Sequence, residues 1–316
     1  MRVLFTGVTS FTGAWFAGAL ADRGHEVVAV LQGPEGSYDG LKAERLARFG
    51  GRCEFAWGAA FGTAAFHAVI GENGPFDLFC HHAADTRNYK SPEFDVTAAL
   101  AGNTRALHQT LAILKEQGCR RVLLTGSVFE AHEGAGTEPL NAFSAYGLSK
   151  TFTSESFRFH ADRDGLGLGK FVIANPFGPF EEPRFTNYLL HCWVSGKMAQ
   201  VNTPRYVRDN IPVSLLALSY ARFAEDFPEA GLTKINPSYY VETQGAFTRR
   251  FADEIGRRLK IDTPVKFAEQ SDFSEPLIRI NTDCVDGAAM GWCEQAAWDQ
   301  LAAYYAGRFL LAEKAI

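Results

Sequence analysis

The opening segment MRVLFTGVTSFTG (residues 1–13) restricts the fold more than any other part of the chain. A short apolar strand runs straight into a turn of Gly, Ser and Thr, and residues 14–21 beyond it are apolar and helix-compatible. Strand, glycine-rich turn and helix in that order open a dinucleotide-binding α/β fold, with phosphates held at the helix N-terminus. Gly7 takes the sharp turn out of the strand, and Gly13 lets the helix pack close to the sheet. The main-chain N–H groups of Thr9, Ser10, Phe11 and Thr12 stand where a pyrophosphate would be received. Ser10 replaces the middle glycine of the usual T-G-x-x-G-x-x-G pattern. A purely structural tight turn is the alternative reading.

The rest of the chain extends this beginning. Apolar runs at Val3–Phe5, Glu26–Leu31, Cys53–Trp57, Phe76–Cys80, Arg121–Leu124 and Lys170–Ala174 alternate with helix-length stretches. Those stretches are Phe11–Arg23, Leu41–Phe49, Ala64–Ile70, Val96–Gln117 and Ser144–Asp164. Such alternation predicts an α/β fold built on a doubly wound parallel sheet of the Rossmann type, with ligands outside the carboxyl ends of the strands. After Asn175 the rhythm breaks at NPFGPFEEP. Residues 1–174 are therefore expected to form a dinucleotide-binding domain carrying the catalytic groups. Residues 175–316 are expected to form mainly a smaller substrate-binding lobe, with some segments returning to the Rossmann core.

Composition narrows the partners. A net charge of −5 gives no electrostatic reason to expect nucleic acid or an anionic membrane. No apolar run reaches membrane-spanning length and no signal segment opens the chain, so a cytoplasmic protein is expected. The six cysteines are scattered without C-x-x-C pairing, which reads as free thiols and no metal site.

The chemistry gathers around the fifth apolar run. It ends in Thr125-Gly126-Ser127, placing a hydroxyl at the carboxyl edge of the sheet, and the next helix carries Tyr146-Gly-Leu-Ser-Lys150. Residues i and i+4 share a helix face, so phenol and ammonium lie side by side. An adjacent cation favours the phenolate and brings a phenol's pKa, about 10 when free, towards neutrality. Tyr146 can then exchange a proton with a carbinol or carbonyl oxygen that Ser127 holds by a hydrogen bond. Tyr-x-x-x-Lys alone is weak evidence; its place after the glycine-rich turn and a strand-end Ser gives it weight.

With these residues in view, the chain resembles, nearly end to end, the extended short-chain dehydrogenases/reductases that act on nucleotide sugars. The resemblance runs through TGVTSFTG (6–13), HHAA (81–84), Ser127, Tyr146/Lys150, NPFGP (175–179), VRDNIPV (207–213) and NTD…GW (281–292). It implies that Ser127, Tyr146 and Lys150 are catalytic, with Lys150 also binding the nicotinamide ribose. It implies cofactor contacts from the glycine-rich turn, Gln32, His81, Ala83, Ala84, Tyr146, Lys150 and Pro176. Substrate contacts would come from Ser127, Asn175, Asn187, Arg208 and Arg279, with Arg208 suited to a pyrophosphate. Relatives commonly form homodimers through the helices corresponding to Val96–Gln117 and Ser144–Asp164.

Four departures from the family pattern shape the functional expectation. The second strand ends Val30-Leu31-Gln32 without the carboxylate that takes the adenosine ribose in NAD binders. Lys42, Arg45 and Arg48 follow on the next helix, so NADP is favoured over NAD. The Asp that usually addresses the adenine is missing from Trp57-Gly58-Ala59, and Asn103 occupies a position where the family has glycine. Ser127-Val128-Phe129 lacks the Asp-Glu pair of the sugar dehydratases, and Glu130 comes one position too late to replace it. The favoured expectation is NADPH-dependent reduction of a nucleoside-diphosphate 4-keto-6-deoxyhexose. The alternative is an NAD-dependent nucleotide-sugar 4-epimerase, and more remotely a non-catalytic dinucleotide sensor.

Overall fold

The computed structural model describes residues 1–310, so residues 311–316 of the expected second lobe lie outside the described residues. The chain divides into two compact units. One comprises Met1–Glu133, Pro139–Ile173 and Ala217–Pro237; the other comprises Gly134–Glu138, Ala174–Leu216 and the chain from Ser238 onward.

The first unit is built on seven strands. They are β1 (Arg2–Thr6), β2 (Glu26–Val30), β3 (Glu54–Ala56), β4 (Leu78–His81), β5 (Arg121–Ser127), and the strands Gly167–Ile173 and Gly231–Ile235. From one edge the order is Gly231–Ile235, Gly167–Ile173, β5, β4, β1, β2, β3, with all neighbours parallel. A parallel sheet is covered on both faces, and its central strands are accordingly apolar throughout: Val3–Phe5, Leu78–Cys80 and Val122–Leu124 are buried. Strand order reverses between β1 and β4, the switch point outside which a doubly wound sheet binds its ligand. The doubly wound parallel sheet expected from the alternating pattern is the one observed.

Helices α1 (Phe11–Asp22), α2 (Gly40–Phe49), α3 (Ala64–Asn73), α4 (Val96–Asn103), α5 (Leu107–Glu116) and α6 (Ala145–Asp164) cover the sheet. The expected single helix Val96–Gln117 is broken into α4 and α5. Side chains that compete with the helical ladder explain the break. Thr104 donates its hydroxyl back to the Leu100 carbonyl (2.7 Å), and the Asn103 amide bonds the Asp85 N–H (3.0 Å) and the Thr153 hydroxyl (3.2 Å). Ala106 then turns left-handed, at φ +45°, and α5 starts in a new direction. No helix among the described residues is long and apolar enough to cross a membrane.

In the second unit the strands Tyr240–Thr243, Val207–Pro212, Ile278–Ile280 and Ala135–Gly136 form a mixed sheet, and Asn175–Phe177 also pairs with Val207–Pro212. Helices Phe185–Val194, Gln244–Leu259 and Glu294–Tyr305 bury Trp193, Phe247, Phe251 and Trp298 around Phe177.

Candidate active site

The glycine-rich turn is held by its own side chains. Gly7 sits at φ +87°, a conformation costly for residues with a Cβ, and an added Cβ would lie 2.8 Å from the Ala83 nitrogen. Ser10 caps α1: its hydroxyl donates to the Gly7 carbonyl (2.9 Å) and accepts the Gly13 N–H (3.0 Å). The missing middle glycine is thus a serine that knots the loop. The first four N–H groups of a helix have no intrahelical acceptor. The Ser10 N–H bonds the Gly7 carbonyl and the Gly13 N–H bonds the Ser10 hydroxyl, leaving Phe11 and Thr12 N–H at the mouth of the helix, where anions bind. No acidic residue occupies the first turn. These features fit a pyrophosphate.

His82 anchors this loop to the rest of the sheet edge. Its Nε2 lies 3.0 Å from the Ser10 hydroxyl and 3.1 Å from that of Thr12, and its Nδ1 lies 2.9 Å from the Thr125 hydroxyl on β5. Burial, then the charge of Lys150, pushes its pKa down to about 3, so the ring is neutral. His81 is lowered to about 3 for the same reasons with a contribution from His82, and its ring is enclosed by Phe61 (4.3 Å) and Phe157 (4.9 Å). Of His81, only the main chain is available at the strand end. The HHAA segment puts both histidines at the strand end; His82, bonded to Ser10, Thr12 and Thr125, is the structural hub.

Ser127 ends β5 and Tyr146 opens α6. Ser144 caps that helix through the Gly147 N–H (3.0 Å). Gly147 allows a close approach: a Cβ there would lie 2.2 Å from the Phe129 carbonyl oxygen, so α6 rests directly on the turn that follows Ser127. Thr151 ties the two together by accepting the Ala131 N–H at 2.9 Å. The Tyr146 ring is half-buried, with Tyr89, Phe94 and Phe129 edge-on at centroid distances of 5.5, 6.1 and 6.4 Å. One turn further on, Lys150 is buried and donates to the Thr125 carbonyl at 2.7 Å. Sequence spacing put Tyr146 and Lys150 on one helix face; the fold brings that face against the end of β5.

A family model described as "NAD dependent epimerase/dehydratase family" matches residues 3–213, which include both the loop and these three side chains. The chain belongs to that family. It is therefore an enzyme of a nicotinamide-dependent class, and the resemblance to extended short-chain dehydrogenases/reductases is borne out. Among solved structures it is similar to UDP-glucose 4-epimerase from Bifidobacterium longum in complex with NAD+ and UDP. That match has 18% identity and a TM-score of 0.72 over 98% of each chain. It is also similar to UDP-N-acetylglucosamine 4-epimerase from Methanobrevibacter ruminantium M1 in complex with UDP-N-acetylmuramic acid (16%, TM-score 0.74, 97% of this chain and 98% of the other). A third is UDP-glucuronic acid 4-epimerase from Bacillus cereus in complex with UDP-glucuronic acid and NAD (15%, TM-score 0.73, 96% and 98%). No curated protein matches significantly.

Beneath the family's Ser, Tyr and Lys lies a buried charge network that sequence reading missed. Glu130 points inward: one carboxylate oxygen accepts the Ser127 N–H (2.8 Å), the other the Ser154 hydroxyl (2.7 Å) and the Lys170 ammonium (2.6 Å). Lys170 also reaches Glu133 (2.8 Å), which takes Lys234 (3.0 Å) and the Asn236 amide (3.1 Å). Burial alone would lower the Lys170 ammonium, but the two carboxylates outweigh it and hold its pKa above the ordinary value. Burial would likewise raise Glu133; the two lysines outweigh it and hold it low. Lys150, which pairs with neither carboxylate, is pushed down to about 8, by burial first, with Glu130 opposing and Lys170 adding to the effect.

The remaining expected residues fall as follows. Gln32 is exposed just past β2, and Arg45, on α2, is buried with its guanidinium on the Thr9 carbonyl (3.0 Å). In the second unit, Asn175 bonds the Asp209 carbonyl (3.2 Å), Pro176 pairs in register with Ile211, and Asn187 bonds the Tyr305 phenol. Arg208 stacks on Tyr206 (4.5 Å) and pairs with Glu275 (2.8 Å) and not with its neighbour Asp209, which is buried and accepts the Tyr239 N–H. Arg208 and Arg279 are register partners on adjacent parallel strands, so both guanidinium stems leave the same face, with strands about 4.8 Å apart.

Proposed function

We propose that the enzyme is a nucleotide-sugar 4-epimerase: C4 of a nucleoside-diphosphate hexose loses and regains hydride while NAD stays bound. The observation that carries this reading is the placement of Tyr146 and buried Lys150 against the carboxyl end of β5, beside Ser127. Tyr146 takes the C4 hydroxyl proton and later returns it; Ser127 holds the same oxygen; Lys150 favours the phenolate and addresses the nicotinamide ribose. When bound, the nicotinamide accepts and returns the hydride. The turn from Gly7 to Gly13, with Ala83 and Ala84, receives the pyrophosphate of the cofactor. Arg208, partly exposed, suits the diphosphate of the substrate, while its register partner Arg279 is fully buried and stands behind it, with Asn175 on the strand that pairs with Arg208's own.

Two observations favour NAD over NADP. The similar solved structures from Bifidobacterium longum and Bacillus cereus hold NAD. Arg45 is buried with its guanidinium on the Thr9 carbonyl, a placement unlike that of a free cation awaiting a 2′-phosphate. The NADPH-dependent 4-keto reductase is the second reading, supported by the absence of a carboxylate at Gln32. The deciding experiment denatures freshly purified protein, identifies any dinucleotide released, and incubates the native enzyme with UDP-glucose and UDP-N-acetylglucosamine. Stoichiometric NAD and formation of the C4 epimer support the epimerase; an empty site that turns over NADPH with a 4-keto sugar refutes it.

We also infer a homodimer through α6. Leu148, Phe152 and Phe159 are exposed at helical spacing, Phe159 to 65%. Phe159→Glu is expected to yield monomer in light scattering; an unchanged dimer excludes this face.

A further inference from the structure

The buried carboxylate of Glu130 has no part in the proton transfers described above, yet it is bonded to the Ser127 main chain, two residues along β5 from the Thr125 carbonyl that holds Lys150. It accepts the main-chain N–H of Ser127, and it neutralises Lys170, the second ammonium buried beneath Ser127 besides Lys150. Gly126, at the end of β5, leaves room for this arrangement: a Cβ there would lie 2.8 Å from Lys170 Cε and 3.1 Å from Glu130 Oε1. Without a carboxylate at 130, the buried ammonium groups of Lys150 and Lys170 would act on one another with Glu133, bonded to Lys170, as the carboxylate left to offset them. Buried groups of like charge raise each other's cost of ionisation, and a lysine answers that cost by giving up its proton.

We propose that Glu130 is a positioning residue that keeps Lys150 charged: it screens Lys150 from Lys170 and pins the Ser127 main chain at the end of β5. This rests on the reading of Tyr146 and Lys150 as the proton-transfer pair. Every charged or titratable group that faces Lys150 enters the balance. Glu130 comes from the turn after β5, Lys170 from the strand Gly167–Ile173, and Glu133 with Lys234 lie behind Lys170. His81 and His82, at the end of β4, are neutral, and Tyr146 lies one turn earlier on α6. Lys150 already stands well below an ordinary lysine, so a small change in this balance decides whether it carries a proton near neutral pH.

Substitutions of opposite sign separate a charge effect from a merely structural one. Glu130→Gln retains the shape and an acceptor for the Ser127 N–H but loses the negative charge; Lys170→Met removes the competing cation. The double variant removes one charge of each sign, a neutral replacement that buried pairs often tolerate. The first readout needs no substrate: an NMR titration of lysine Cε in the protein as purified, labelled with [13C]lysine, with the Lys150 resonance assigned through Lys150→Arg. The Lys150 midpoint is expected to move to lower pH by about one unit in Glu130→Gln, to higher pH in Lys170→Met, and back near wild type in the double variant. The second readout is the pH dependence of kcat, whose alkaline limb is expected to move with the same signs.

Unchanged Lys150 midpoints in Glu130→Gln and in Lys170→Met would overturn the proposal. So would a wild-type Lys150 that titrates as an ordinary lysine, a test that survives misfolding of both single variants. Midpoints that move while the kcat limb stays fixed would instead remove Lys150 from the proton-transfer pair. The two failures are therefore distinguishable.

Discussion

Replacing Gly147 by Ala sets two effects of opposite sign against each other. Alanine is the better helix former by about 1 kcal/mol, so on propensity alone the variant would be more stable. The added methyl, however, would lie 2.2 Å from the Phe129 carbonyl oxygen, and real Cβ atoms essentially never come nearer than 3.0 Å. The obstacle is main chain, held through the neighbouring Ala131–Thr151 bond, so no side chain can swing aside. Helix α6 and the turn after Ser127 must therefore part by about 0.8 Å or more, an overpacking that costs about 1–3 kcal/mol. The clash offsets or outweighs the propensity gain, and a net destabilisation of up to about 2 kcal/mol is expected, with Tm lower by up to a few degrees. The same displacement carries Tyr146 away from Ser127, and a misplacement of about 1 Å costs on the order of 100-fold in rate. Calorimetry, NADH fluorescence titration and turnover of the sugar accepted by the wild type test this together. A variant with raised Tm and kcat within twofold of wild type would show that the helix does not rest on this turn.

The other predictions follow from the same geometry. Tyr146→Phe should lower kcat by about 10²–10⁴ while the Kd for NADH stays within a few-fold; a rate near wild type excludes Tyr146 as the acid/base. Because Lys150 is pushed down to about 8, the alkaline limb of kcat should fall as pH rises through that value, when the cation beside the phenol is lost. Lys150→Arg, if active, should carry that limb to higher pH, since a guanidinium stays protonated; a limb in the same place assigns it to another group. Arg208→Ala should raise KM for the nucleotide sugar by about 10–100-fold with kcat nearly unchanged, as expected for loss of a charge-assisted contact; an unchanged KM removes it from the diphosphate site.

What could be read in advance was whatever depends on short-range pattern. The strand–turn–helix at residues 1–13, the alternation that gives the parallel sheet, and the i, i+4 pairing of Tyr146 with Lys150 are all local, and each is present in the fold. What escaped depended on contacts between distant segments. Val96–Gln117 carries no proline, yet the helix breaks because Asn103 is drawn to Asp85 and Thr153, some 18 and 50 positions away. Glu130 read as a carboxylate misplaced by one residue, since only the fold sets it against Lys170, forty positions on. The preference for NADPH rested on a missing carboxylate at Gln32 and on three basic residues of α2; the fold turns Arg45 into the loop and leaves Lys42 and Arg48 exposed. An absent acid says little about the cofactor until the positions of nearby cations are known.

The phosphate-binding turn of this chain also changes what transplantation of such a turn would require. In most folds of this kind the turn is defined by glycines, whose roles are carried by the turn's own main chain. Here a hydroxyl fills one of those gaps, and a neutral imidazole from a different strand completes it, with Thr125 on a third strand as the far anchor. A graft that carried only residues 6–13 would arrive without its fastening. Ser10, Thr12, His82 and Thr125 form a single transferable unit spread over three strand ends, and recombination that separates them would leave hydroxyls and a ring nitrogen in search of water.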